Sequence, residues 1–224
     1  MAGTSKSNVK DFIQWALFGF LIALIVSFLL GRRDRTDRIP TQQPIIKQGN
    51  TNSISTLPII SRVQPFALTN QFGNRITDKD LNGTPWLANI IFTRCPTVCP
   101  RITQSVSDLL PELPESLKIV TLTTDPTHDT PEVLDGFARL HGAQTNRWHF
   151  LTGDKPELIR LAGTDLKLTA LPKPIADQES PNDLFIHSPL IILVDREGQV
   201  RASFEYNLPD LSDRIQDALE SLQP

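Results

Sequence analysis

The chain has 224 residues, a formal net charge of −3, a pI near 5.8 and only two cysteines. That balance lacks the basic excess of a nucleic-acid-binding surface, and two cysteines are too few for a disulfide scaffold. Hydrophobic residues at 39% and charged residues at 21% are those of a globular protein, long enough for one domain with appendages.

Residues 1–10 are short and polar and are assigned to the cytoplasmic side. Residues 11–30 are expected to be a transmembrane anchor. From Phe12 to Leu30 the run carries no charge, with only Gln14, Gly19 and Ser27 as interruptions and Trp15 near one end. As a helix it spans about 28 Å, close to a bilayer core. A cleaved signal peptide is the competing reading, but the run is long for one and no small-residue cleavage site follows Leu30. Lys6 and Lys10 precede the run, whereas Arg32, Arg33, Arg35 and Arg38 follow it. A bare count of basic residues places the C-terminal flank inside, which conflicts with the export orientation reached below. Residues 31–57, rich in Gln, Asn, Ser, Thr and Pro, read as a polar tether.

The folded domain is expected over residues 58–224. Pro65 to Thr77 reads as a hairpin turning at Asn70–Asn74, and Trp86 to Phe92 as a buried strand. A helix over Pro100 to Leu110 follows, then a buried strand over Lys118 to Thr124. Pro131 to His141 is a helix capped by Thr130. Trp148 to Leu151 is a short strand, and Asp154 caps a helix from Lys155 to Ala162. Residues 164–186 read as irregular. Pro189 to Val194 and Gln199 to Tyr206 form a hairpin across Asp195–Gly198, and Leu211 to Leu222 is a closing amphipathic helix. Alternating β and α elements imply a mainly parallel central sheet, with helices on both faces and antiparallel strands at its margins. With its final hairpin and helix this is an α/β, thioredoxin-like fold: a central mixed sheet flanked by helices.

Both cysteines fall at the end of the first core strand, in Cys95-Pro96-Thr97-Val98-Cys99-Pro100. Over one helical turn their Cα atoms stand about 6 Å apart, a separation that a disulfide or one metal ion can bridge. Pro100 disfavours helical geometry at Cys99, so a tight loop entering a helix is expected. Amide groups at that helix start are expected to lower the pKa of the pair. A structural staple remains the plain alternative. Among the four histidines, His187 stands just before the strand at Pro189, where a thioredoxin-like fold faces the cysteine loop. Two thiolates and an imidazole suit copper as Cu(I) or Cu(II), and also zinc. His141, at a helix end, and His149, in a short strand, read as ordinary packing, and His128 as a solvated turn residue.

Ile91 to Pro100, with its C-P-x-V-C-P core, resembles the cysteine motif of the SCO/SenC proteins. Thr123-Thr124-Asp125-Pro126-Thr127-His128-Asp129-Thr130-Pro131 resembles that family's D-P-x-x-D-T-P segment. Phe185-Ile186-His187-Ser188, with the hairpin after it, resembles its histidine loop. The resemblance implies a membrane-anchored copper chaperone that binds copper through Cys95, Cys99 and His187. Its partner would be the copper-accepting subunit of cytochrome c oxidase, or another copper or thiol protein. It also implies a soluble domain outside the cytoplasm, and with no transit peptide ahead of the anchor, a single pass through a bacterial cell membrane. The residue before the family's histidine is usually Asp and here is Ile186, which puts metal affinity and redox tuning in question. Asp125 is a candidate second-shell partner or a turn residue. Arg94 is a candidate to stabilise thiolates or to meet an acidic partner. The Ser188–Pro189 bond is expected to be cis. The alternative function is a thiol–disulfide oxidoreductase using Cys95 and Cys99 as a redox pair without metal. A peroxiredoxin-like activity fits the cysteine spacing and the histidine loop poorly.

Overall fold

The structure is a computed structural model and describes residues 57–143, 147–178, 182 and 184–222. The expected anchor at 11–30, and all of the tether before residue 57, lie outside the described residues. Among those described, no helix is long and apolar enough to cross a membrane.

In chain order the elements are β1 (Ser61–Arg62), β2 (Ala67–Asn70), β3 (Arg75–Thr77), α1 (Asp78–Leu81), β4 (Trp86–Ile91), α2 (Val98–Leu109), β5 (Lys118–Thr123) and α3 (Pro131–Leu140). There follow β6 (Trp148–Thr152), α4 (Lys155–Ile159) and β7 (Ala170–Pro172). The chain ends with β8 (Phe185–His187), β9 (Leu190–Val194), β10 (Gln199–Glu205) and α5 (Leu211–Glu220). Eight strands form one sheet in the order β1-β10-β9-β4-β5-β6-β2-β3.

The sheet is mixed rather than mainly parallel. Only β4–β5 and β5–β6 pair in parallel, and the other five pairings are antiparallel. The parallel pairs are those whose strands are joined by helical crossovers, through α2 and α3. A parallel neighbour needs such a connection, whereas the hairpins at the margins need only a tight turn. Gly73 at φ 76° and Gly198 at φ 72° supply the left-handed positions in the β2–β3 and β9–β10 turns.

Strand alternation divides the core into two layers. On one face Leu87 and Ile91 of β4 join Ile119, Trp148 and Phe150 under α2, α3 and α5. On the other, Trp86, Ala88 and Ile90 join Val120, Leu122 and Leu151 under α1 and α4. All six residues of β4 are buried, Asn89 among them, which is why it reads as a nearly continuous apolar run. Gln71, 4% exposed, stitches β6 to the first hairpin. Its amide donates to the Trp148 carbonyl at 2.9 Å and accepts from the Phe150 N–H at 2.9 Å.

Four local expectations are corrected. α2 starts at Val98, so Cys99 is helical. Pro100 lies in the first helical turn, where its missing N–H would have had no intrahelical partner. α4 runs on into a π-helical turn over Arg160–Asp165 instead of stopping at Ala162. Residues 164–186 are not wholly irregular, because β7 and β8 pair as a separate two-stranded antiparallel sheet. Three-residue strands next to prolines are too short to show a period of two. Finally, no described peptide bond is cis, so Ser188–Pro189 is trans. The Ser188 N–H donates to the Thr169 carbonyl and the Pro189 carbonyl accepts from Tyr206 N–H. These bonds draw the chain from β8 into β9 as extended backbone, which a trans bond provides.

Candidate metal centre

Cys95 and Cys99 flank the junction of β4 and α2, as expected. Cys95 is 7% exposed and Cys99 is fully buried, and both belong to the apolar layer that includes Phe92, Leu134 and Phe150. α2 buries Cys99, Ile102, Val106 and Leu109 at helical spacing, so the sequence that docks the helix also drives Cys99 into the core. Pro96 and Thr97, between the cysteines, are exposed. Both cysteines stand as thiols, hydrogen-bonded to one another. The Phe92 N–H donates to the Cys99 sulfur at 3.4 Å, and the Cys95 N–H donates to the Phe92 carbonyl at 3.1 Å.

The expected lowering of both thiol pKa values is not what the site produces at Cys99. Burial pushes the Cys99 thiol well above its ordinary range, with the hydrogen bond and charge of Cys95 and the charge of Asp129 adding to it. The Phe92 amide opposes this shift but is outweighed. Desolvation of a fully buried thiolate thus dominates over the dipoles at the helix start.

The segment between β5 and α3 supports the loop from beneath. Arg94 pairs with Asp125 at 2.6 Å, which answers for both residues: Arg94 is committed to Asp125, and Asp125 anchors the cysteine loop. His128 is not simply solvated, since its Nδ1 lies 3.0 Å from Asp129 Oδ1. Asp129 carries a role that its place in a proline-rich turn does not announce. It is fully buried and accepts from Thr93 N–H at 3.1 Å and from the hydroxyls of Thr93 and Thr123 at 2.5 Å. The available signal was its place in the D-P-T-H-D segment, one residue before the Thr130 cap of α3.

His187 ends β8, its backbone paired with Ala170. Its side chain lies outside the described residues. Two positions earlier, the Phe185 ring meets the Phe92 ring edge-on with centroids 5.1 Å apart, which ties β8 to the end of β4. Ile186 is 57% exposed opposite Leu171, itself 57% exposed, so a carboxylate at this position would be solvated. Among the described residues, no three His, Cys, Asp or Glu side chains form a metal-holding group. His141 and His149 have pKa values lowered by burial, as packing residues do.

A thioredoxin-like α/β domain with a CxxxC pair at the first core strand–helix junction defines the class of this molecule. The SCO1/SenC family profile matches residues 59–222, and the chain belongs to that family. It is 32% identical over 147 residues to the SCO1 protein homolog of Bacillus subtilis, covering 64% of this chain and 73% of that protein. The fold matches Bradyrhizobium japonicum ScoI with copper bound, with a TM-score of 0.61, 26% identity, and 73% of this chain and 100% of that one covered. It also matches BsSco, described with a disulfide switch as a member of the Sco family of cytochrome c oxidase assembly proteins. That match has a TM-score of 0.60 and 28% identity, covering 75% of this chain and 97% of that one.

Proposed function

We propose that the chain is a membrane-anchored copper chaperone that binds copper through Cys95, Cys99 and His187. In this reading residues 11–30 hold it in a bacterial cell membrane, residues 31–57 tether it, and the domain from residue 58 works on the extracytoplasmic side. Its recipient is the copper-accepting subunit of cytochrome c oxidase. The observation that carries the reading is the buried, mutually hydrogen-bonded Cys95–Cys99 pair at the end of β4. Family membership, the copper-bound ScoI relative and the assembly role stated for BsSco support it.

The donor set fits a soft, thiophilic cargo. Two adjacent sulfurs in an apolar layer favour copper over a hard cation. The raised Cys99 pKa means that the metal-free site keeps its proton at neutral pH, so metal binding displaces it. The apolar surroundings limit water access, and the exposed Pro96–Thr97 loop lies toward solvent.

The adjacent thiols favour a second reading on the same residues: thiol–disulfide exchange. Closing the Cys95–Cys99 disulfide passes two electrons and two protons to a partner disulfide, which opens to two thiols. The same closure removes both thiolate donors, so copper holding and thiol reduction are two states of one site.

Copper titration of the reduced full-length chain tests the chaperone reading. Cys95→Ala, Cys99→Ala and His187→Ala are each expected to weaken binding by at least about tenfold. Undiminished affinity in His187→Ala removes the three-ligand site.

A further inference from the structure

We propose that Asp129 is a positioning residue of this site: its buried carboxylate clamps the turn leading to Cys95 onto the end of β5 and so sets where Cys95 stands relative to Cys99. The proposal rests on the functional reading above.

The clamp joins three pieces of chain. From the cysteine loop, the Thr93 N–H donates to Oδ2 at 3.1 Å and the Thr93 hydroxyl to Oδ1. From the end of β5, the Thr123 hydroxyl donates to Oδ2. From the Asp129 turn itself, His128 Nδ1 lies 3.0 Å from Oδ1. Four donor groups converge on one fully buried carboxylate, a satisfied arrangement that defines a single geometry.

The lever arm is short. Arg94 alone separates Thr93 from Cys95, and the Cys95 N–H returns to the Phe92 carbonyl at 3.1 Å. Holding Thr93 therefore holds the whole Phe92–Cys95 turn. Cys99 is placed from the other side, by α2, which docks it in the core. The separation of the sulfurs thus depends on the loop side, which Asp129 governs. The Thr123 hydroxyl also accepts from the Asp125 N–H at 3.0 Å, and Asp125 pairs with Arg94, so the two aspartates brace consecutive loop residues.

The test compares Asp129→Asn, Thr93→Val and Thr93→Ser in the full-length chain. Three quantities are measured: the Cys95–Cys99 disulfide equilibrium against glutathione without metal, the affinity and thiolate charge-transfer spectrum with added copper, and the thermal midpoint. Asp129→Asn and Thr93→Val are expected to shift the disulfide equilibrium by about tenfold and to weaken copper binding 10- to 100-fold, roughly the range for groups that orient metal ligands. Thr93→Ser, which keeps the hydroxyl, restores both. A wild-type disulfide equilibrium in Asp129→Asn and Thr93→Val, with only a lowered thermal midpoint, overturns the proposal. If Asp129→Asn fails to fold, Thr93→Val on the part-exposed loop decides alone. If the wild-type chain binds no copper while the variants still shift the disulfide equilibrium, the copper reading fails and the positioning role stands.

Discussion

Cys99 shows how two rules about one residue compete. A cysteine at a helix start is usually acidified by the amides there, yet this one is fully buried and its thiol holds its proton strongly. The direction has a consequence for stability. The native thiol binds its proton more tightly than the unfolded one, whose pKa is near 9.0. Its contribution is therefore present below that value and is lost as pH rises beyond it. The reduced, metal-free protein is expected to lose stability above about pH 9 more steeply than Cys99→Ala, with a difference in slope approaching roughly 1.4 kcal/mol per pH unit. Denaturant midpoints of the two proteins across pH 8 to 10, in steps, measure this; parallel slopes would contradict it. The position of Cys95 and Cys99 after β4 was legible from the sequence, because the pair directly follows an apolar strand run. The burial of Cys99 was not legible, since it depends on how α2 packs. Asp129 was likewise hidden, because a carboxylate in a proline-rich turn looks the same whether solvated or clamped.

The long, periodic elements were legible almost to the residue. β4, β5 and α3 follow the expected spans closely, because mostly apolar, β-branched runs and a Thr-Pro start identify them. What failed were short elements whose existence depends on a partner. β1 has two residues and exists through β10, and β7 exists through β8. Gln71 is of the same kind: nothing local says that a turn glutamine will complete the edge of β6. Its side-chain amide satisfies the buried Trp148 carbonyl and Phe150 N–H, which lack that partner once it is truncated. Gln71→Ala is therefore expected to cost about 1–3 kcal/mol, read from urea unfolding, and Gln71→Glu to be little better because a carboxylate cannot donate. Unchanged stability in Gln71→Ala would mean that other groups take over both bonds.

At the scale of the molecule, β8 is tied to the end of β4, the strand that leads into the cysteine pair. The β4–β9 pairing, the trans Ser188–Pro189 link and the Phe92–Phe185 contact together route the histidine-bearing strand to the end of β4. The alternation of β and α was enough to place the cysteines at a strand–helix junction. It was not enough to show a sheet with five antiparallel pairings, because edge order is set by which hairpins pack where. In the proposed function, one site made by Cys95, Cys99 and His187 holds copper. X-ray absorption at the copper edge on the reduced, copper-loaded full-length chain tests it directly. Two sulfur ligands and at least one imidazole nitrogen are expected, with the nitrogen lost in His187→Ala. An all-sulfur site, or a nitrogen that persists in that variant, would contradict it.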